Sequence, residues 1–230
     1  MTALDFEGDY GRTYASKIRL SIPAYDALLE IGAASLAALA PEAASALIVG
    51  PGLGEELPGI FAALPQARFS LLEPSEQMRR GCAAVIAREG AAQRCLLLEH
   101  TLEQSGPLAD GPFAVVICHH VLHLMRPEEQ RQALRQLTTR LAPGGLLLLS
   151  SYGEPTDPQA MERLLAITAR RLRGLGMDGA TLTRFMALRN TVVFSLNEQL
   201  LAEELAAAGL EPPQQLLQAL ASRLWLSRKP

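Results

Sequence analysis

The sequence predicts an α/β fold, a doubly wound and mostly parallel seven-stranded sheet with a C-terminal hairpin and a helical insertion, and three observations carry that reading. Helical periods alternate with short apolar runs that end in Gly or Pro. The runs Ala46-Leu-Ile-Val49, Ala114-Val-Val-Ile117 and Leu146-Leu-Leu-Leu149 are continuous rather than alternating, as strands covered on both faces are. The apolar mass comes mostly from Ala and Leu, so helix should exceed strand.

Taken in order, Ser21 to Leu39 reads as a helix with Pro23 in its first turn. Ser45 to Val49 is the first buried strand, and Pro51 to Leu64 is a turn entering a helix. Arg68 to Leu72 is the second strand, Ser75 caps a helix that runs to Arg88, and Arg94 to Leu98 is the third strand. Phe113 to Cys118 is the fourth. Glu128 to Leu141 is a helix closed by Pro143-Gly144-Gly145, and Leu146 to Ser151 is the fifth strand. Pro155 to Leu188 is helical and Arg-rich, Ser195 to Ala208 is a helix ending at Gly209, and Gln214 to Leu220 with Ser222 to Ser227 form the closing hairpin. The expected organisation is one domain: an N-terminal helical flap over 1–44, a core over 45–151, an Arg-rich lid inserted at 152–190, and a closing helix and hairpin over 191–230.

With 230 residues, 49% of them hydrophobic, the chain has ample material for a buried core, which excludes disorder and fibre. A net charge of −3 gives no bulk cationic field for polynucleotides, and 5% aromatics is thin for a surface that stacks single-stranded bases. A tRNA partner is therefore disfavoured. Cys82, Cys95 and Cys118 form no CxxC pair and no complete disulfide framework, which fits a reducing compartment. Asp5, Glu7 and Asp9 stand where a signal peptide needs positive charge, and no uninterrupted apolar run is as long as a membrane span. The expectation is a cytoplasmic protein without a membrane partner.

The chemistry begins at Val49-Gly50-Pro51-Gly52-Leu53-Gly54, a glycine-rich turn between the first strand and a helix. Glu73 follows at the end of the second strand, where an acid can accept both ribose hydroxyls of an adenosine cofactor. The turn lacks the Lys-Ser/Thr ending of a P-loop, and its G-x-G-x-G spacing suits a smaller adenosine ligand than a dinucleotide.

Together with Glu73-Pro74-Ser75-Glu-Gln-Met78, Cys118-His119-His120 and Leu141-Ala-Pro143-Gly144-Gly145, the turn resembles the motif series of the class I S-adenosylmethionine-dependent methyltransferases. The resemblance runs from Ser45 to Ser151 and implies a Rossmann-like methyltransferase fold with S-adenosylmethionine as cofactor. It implies methionine contacts over Gly50, Gly52 and Gly54, ribose contacts at Glu73 with Pro74 and Met78, adenine contacts near Glu99, His100 and Thr101, and a further contact at His119. Arg19-Leu-Ser-Ile22-Pro23-Ala-Tyr25 and Thr183-Arg184-Phe are similar to the branch containing carboxy-S-adenosylmethionine synthase. That similarity implies a carboxylated cofactor variant, met by Arg184. Ile48 stands where the family usually carries an acid.

His119, His120 and His123 lie at the end of the fourth strand, where an open sheet places its ligand crevice. His119 or His120 can serve as general base, with His123 packing structurally, since imidazole titrates near neutrality. The H-H-x-x-H spacing lacks the helical pair of a zinc site, so no metal is expected. Between Arg163 and Arg189 lie six arginines and one acid, Asp178. Arg170, Arg171 and Arg173 suit a solvated face. Arg184 and Arg189 sit among apolar neighbours and suit an anionic group on substrate or cofactor, or an internal pair with Asp26 or Glu30. Tyr10, Tyr14 and Tyr25, with Arg19, suit a flap closing over substrate. The leading function is methyl transfer to a small anionic acceptor by a cytoplasmic homodimer. The alternatives are a cofactor-remodelling enzyme of the carboxy-S-adenosylmethionine synthase type and a non-catalytic methyltransferase-like subunit.

Overall fold

A computed structural model describes residues 5–8 and 13–230. The central strands are β1 (Ser45–Val49), β2 (Arg68–Leu72), β3 (Cys95–Leu98), β4 (Phe113–His119) and β5 (Leu141–Glu154), and the chain closes on β7 (Gln214–Ala219) and β8 (Ser222–Arg228). They form one sheet in the order β3-β2-β1-β4-β5-β8-β7. All neighbours from β3 to β5 are parallel, whereas β8 runs antiparallel to both β5 and β7. The seven-stranded doubly wound sheet and its terminal hairpin are as the sequence predicts. A two-residue strand, β6 (Leu196–Asn197), adds itself beside the end of β5.

Continuous apolar runs are explained by burial on two faces. Ile48, Leu71, Ile117 and Leu148 point to one side, against α2 (Tyr25–Leu39), α3 (Leu57–Ala63) and α4 (Glu76–Arg88). Leu47, Leu72, Val116 and Leu149 point to the other, against α5 (Pro127–Thr139) and α8 (Glu198–Ala207). Each leucine buried in this way contributes about 2 kcal/mol by removal of apolar surface from water.

Three expectations change. The helix expected from Ser21 begins only at Tyr25 as α2, and a separate helix, α1 (Tyr14–Ser21), precedes it, because Pro23 bars the residue before it from helical backbone. Ile22 is extended at φ −110° and ψ 102°, and Ala24 turns the chain with φ 58°. Pro143-Gly144-Gly145 does not lie in a loop after α5. The strand β5 starts at Leu141, and these residues form the irregularity between the Phe113–Leu141 and Val115–Leu146 pairs. The Arg-rich segment breaks into α6 (Pro158–Gly174) and α7 (Gly179–Ala187), with Gly176 at φ 91° and Asp178 capping α7 by accepting from Thr181 N–H at 2.9 Å.

Candidate active site

The glycine turn leaves β1 at its carboxyl end, beside the ends of β2 and β4. Gly50, Gly52 and Gly54 all have positive φ, and each is glycine for a different reason. A Cβ on Gly50 would come within 2.4 Å of Val121 Cγ2, and one on Gly54 within 3.3 Å of the Cys82 backbone. A Cβ on Gly52 would meet nothing within 4 Å. Gly52 therefore faces open space, and it is where backbone can approach a ligand.

Glu73 is 6% exposed. Its carboxylate accepts the Gly52 N–H and the Ser75 N–H, both at 3.0 Å, so it ties the glycine turn to the start of α4. Burial raises its pKa from the ordinary carboxylate value. Ser75 caps α4 by accepting from Met78 N–H, and Met78 itself is buried. Glu7 reaches the same helix start and accepts from the Glu76 N–H at 2.7 Å and the Gln77 N–H at 3.2 Å. Residues 5–8 thus lie against the crevice next to Glu73. Arg79 donates to the carbonyls of Glu73 and Pro74 and pairs with Glu99 at 2.7 Å. Past β3, Thr101 Oγ1 accepts from Gln104 N–H, and the Nδ1 of His100 is buried without a partner. These residues offer a carboxylate, an open glycine and polar edges of the kind an adenosine requires.

A cavity of about 550 Å³ opens at the same end of the sheet, lined by residues other than those of the glycine turn. Its walls come from Ile18 and Leu20 of α1, Met161 and Leu172 of α6, and Arg184 and Phe185 of α7, together with His123, Tyr152 and Ser222. Arg171 donates to the carbonyls of Leu20 and Arg19, and Tyr152 Oη donates to the Ser21 carbonyl at 3.2 Å. The 152–190 insertion is thereby held to α1 across the cavity. Arg184 donates to Thr181 Oγ1 at 3.0 Å. Arg189 also lines the cavity, pairs with Glu154 at 3.0 Å and leaves its Nε buried without a partner.

The three histidines are neither equivalent nor placed alike. His119 Nδ1 lies 3.1 Å from Ser150 Oγ, and its other ring edge faces Gly32 of α2. His120, at φ 52°, places Nε2 3.2 Å from Ser222 Oγ. His123 is on the cavity wall with its ring 4.9 Å from that of Tyr152. The Nδ1 atoms of His120 and His123 have no hydrogen-bond partner among the described residues. Burial lowers His119 and His123 to about 4 and holds His120 well below its ordinary value, with its two neighbours adding to the effect, so all three are neutral at neutral pH.

A histidine whose folded pKa lies below its unfolded value takes up a proton on unfolding, so its contribution to stability is lost as pH falls through the range between 6.5 and about 4. Urea denaturation should show that His123→Asn loses about 2 kcal/mol less stability than the parent chain on going from about pH 7 to pH 5. Equal losses in the two proteins would remove the buried neutral imidazole.

Other residues singled out from the sequence fall as follows. Arg19 is engaged internally, with Asp26 at 2.7 Å, Glu55 at 3.0 Å and the Tyr25 ring at 5.4 Å. Burial raises the Tyr25 hydroxyl. The Tyr14 ring lies 6.3 Å from Phe6, and Tyr10 lies outside the described residues. Arg189 has an internal carboxylate partner, but it is Glu154 rather than Asp26 or Glu30. Sequence reasoning passed over Tyr152, Ser222 and Glu56. Position at a strand end was the available signal for the first two; nothing local marks Glu56. Among the described residues no group of His, Cys, Asp and Glu is arranged to hold a metal ion, and no helix is long and apolar enough to cross a membrane.

A family described as a methyltransferase domain matches residues 47–147. Carboxy-S-adenosyl-L-methionine synthase of Pseudomonas syringae pv. syringae is 28% identical over 178 residues, 74% of this chain and 70% of that protein. Among solved structures, mitomycin 7-O-methyltransferase superposes with a TM-score of 0.62 at 22% identity, over 94% of this chain and 58% of its own. The Burkholderia thailandensis 1,6-didemethyltoxoflavin-N1-methyltransferase, solved with 1,6-didemethyltoxoflavin and S-adenosylhomocysteine, superposes with a TM-score of 0.62 at 17% identity, over 96% and 85%. The chain thus spans less than two thirds of the first of these structures and most of the second. Residues 47–147 thus match a methyltransferase domain, and with its sheet order and the glycine turn joined to Glu73 the chain has the fold that these methyltransferases share.

Proposed function

We propose that the chain binds S-adenosylmethionine across the glycine turn and methylates a small molecule held in the 550 Å³ cavity. The observation that carries this is the presence of two features at one end of the sheet: a glycine turn open at Gly52 and bonded to Glu73, and a cavity of the size small ligands occupy. Bound there, S-adenosylmethionine supplies an electrophilic methyl group on a sulfonium. Glu73 accepts the ribose hydroxyls, and Gly52 lets backbone approach the methionyl part. The apolar walls of α1, α6 and α7 exclude water and fix the acceptor, which is the main requirement of an in-line transfer. Arg184, whose guanidinium has a hydroxyl partner and no ion pair among the described residues, meets an anionic group on the acceptor. His123 accepts the acceptor's proton, because it is the histidine on the cavity wall, whereas His119 turns towards α2. The cavity's volume favours a small molecule over tRNA.

Arg184 also supports a second reading, in which the cofactor carries a carboxylate of its own. The similarity to carboxy-S-adenosyl-L-methionine synthase favours it as well. Native mass spectrometry of the purified chain separates the readings. Bound S-adenosylmethionine or S-adenosylhomocysteine is the expected result, and a ligand heavier by one carboxyl group selects the second reading. Failure to retain or take up any of these ligands would sink both and leave the non-catalytic subunit. The same spectrum reads the assembly, for which a homodimer is expected.

A further inference from the structure

The side chains that line the 550 Å³ cavity differ widely in exposure, and the difference gives the cavity two ends. Leu20 of α1 and Leu175, just past α6, are 38% and 54% exposed, and Lys17 and Arg184, which line it too, are exposed as well. These residues stand at the opening. A side chain that lines a cavity and still meets almost no solvent belongs to its closed part, which is where Ile22, Met161, Leu172 and Ser222 lie. His123, 8% exposed, belongs there with them, its ring edge-on to that of Tyr152.

The two ends differ in chemistry, and the wall between them is apolar. At the opening, Arg184 donates to the Thr181 hydroxyl and makes no ion pair among the described residues. Asp178 lines the cavity as well, but its carboxylate accepts the Thr181 N–H as the cap of α7. At the closed end, the Nδ1 of His123 is buried without a hydrogen-bond partner among the described residues. A neutral imidazole takes a proton most readily from an acidic hydroxyl such as a phenol, and the rings of His123 and Tyr152 offer edges and faces to a further ring. Ile18, Ile22, Met161, Leu165 and Leu172 bring only apolar side chains to the wall. A polar group held along that stretch would lose its water and gain no partner, so the polar groups of a fitting ligand lie at its ends.

We propose that the acceptor is an elongated amphipathic molecule, with a hydroxyl-bearing aromatic ring at the closed end against His123 and Tyr152, an apolar body along α1 and α6, and a carboxylate or similar anion at the opening on Arg184. The inference rests on the methyltransferase reading above. It adds that the anion and the methylated group stand at opposite ends of the acceptor, separated by apolar surface.

Calorimetry on the chain saturated with S-adenosylhomocysteine tests this with four probes. A hexanoate carrying a para-hydroxyphenyl group at the end remote from its acid should bind most tightly. para-Hydroxybenzoate, which lacks the apolar body, should bind at least about 100-fold more weakly, since each buried methylene tightens binding about fourfold. para-Hexylphenol, which lacks the anion, should bind about tenfold more weakly, and so should a hexylsalicylate, which keeps body and charge but sets the anion beside the hydroxyl. Arg184→Gln should weaken the hydroxyphenylhexanoate about tenfold and leave para-hexylphenol unchanged. The ranking on the parent chain stands even if that variant fails to fold. A parent chain that binds no S-adenosylhomocysteine overturns the cofactor reading and this inference with it. If it binds S-adenosylhomocysteine but none of the probes, ranks the hexylsalicylate or para-hydroxybenzoate level with the hydroxyphenylhexanoate, or keeps full affinity for the latter in a folded Arg184→Gln, this inference alone is overturned.

Discussion

Glu73→Ala should weaken S-adenosylhomocysteine binding by at least about 100-fold, measured by calorimetry, because hydrogen bonds to a charged group are worth about 1.5–3 kcal/mol each and the ribose offers two. The carboxylate also holds the Gly52 and Ser75 N–H groups at 3.0 Å, so its removal slackens the turn that receives the methionyl part. Those two bonds are shared by binding and folding, and some loss of stability accompanies the variant. Glu73→Gln separates the effects. It keeps an acceptor for one backbone N–H, should fold normally, and should still lose about tenfold in affinity. Wild-type affinity in the alanine variant would detach Glu73 from the ribose.

Gly50→Ala should destabilise the fold by about 2–3 kcal/mol in urea denaturation, the sum of a left-handed backbone for a residue with a Cβ and a close contact in a packed site. Gly50 has φ 66°, and the added Cβ would lie 2.4 Å from Val121 Cγ2, a β-branched side chain with little rotamer freedom. Gly52→Ala is the comparison. Its φ of 56° carries the same backbone strain, but the new methyl would enter open space. It should cost about 1–2 kcal/mol in stability and should impair cofactor binding, since it fills the space a ligand needs. If the two variants lost equal stability and only Gly50→Ala lost binding, the roles assigned to the two glycines would be reversed.

The glycine turn also shows how far local pattern reaches. Three glycines at alternate positions after a strand are visible in the sequence, and so is Glu73 at the next strand end. The different reasons for Gly50 and Gly52 are not visible, because they depend on Val121, which lies in the turn after β4. The histidines repeat the lesson. Their position at a strand end marked them as site residues, but His123, read from sequence as structural, lies on the cavity wall, and His119 packs towards Gly32. Which way each ring turns is set by the left-handed backbone at His120 and by Ser150 and Ser222, residues from two other strands. The break at Pro23 was legible but misread, since tolerance of proline in a first helical turn competes with its exclusion of helical backbone from the residue before it.

By itself the sequence determined the strands, nearly residue for residue except for the longer β5 and the two-residue β6, and the glycine turn with the acid that follows it. Apolar continuity, proline and glycine act over a few residues, and a doubly wound sheet repeats them in chain order. Tertiary structure decided the functional partners. Tyr152 bonds to Ser21 across 131 residues and Arg171 to Leu20 across 151, closing a cavity that neither segment announces. The burial of Glu56 is likewise set by residues distant in sequence. Burial and the absence of a counter-charge are sums over neighbours distant in sequence, and only the folded chain brings those neighbours together.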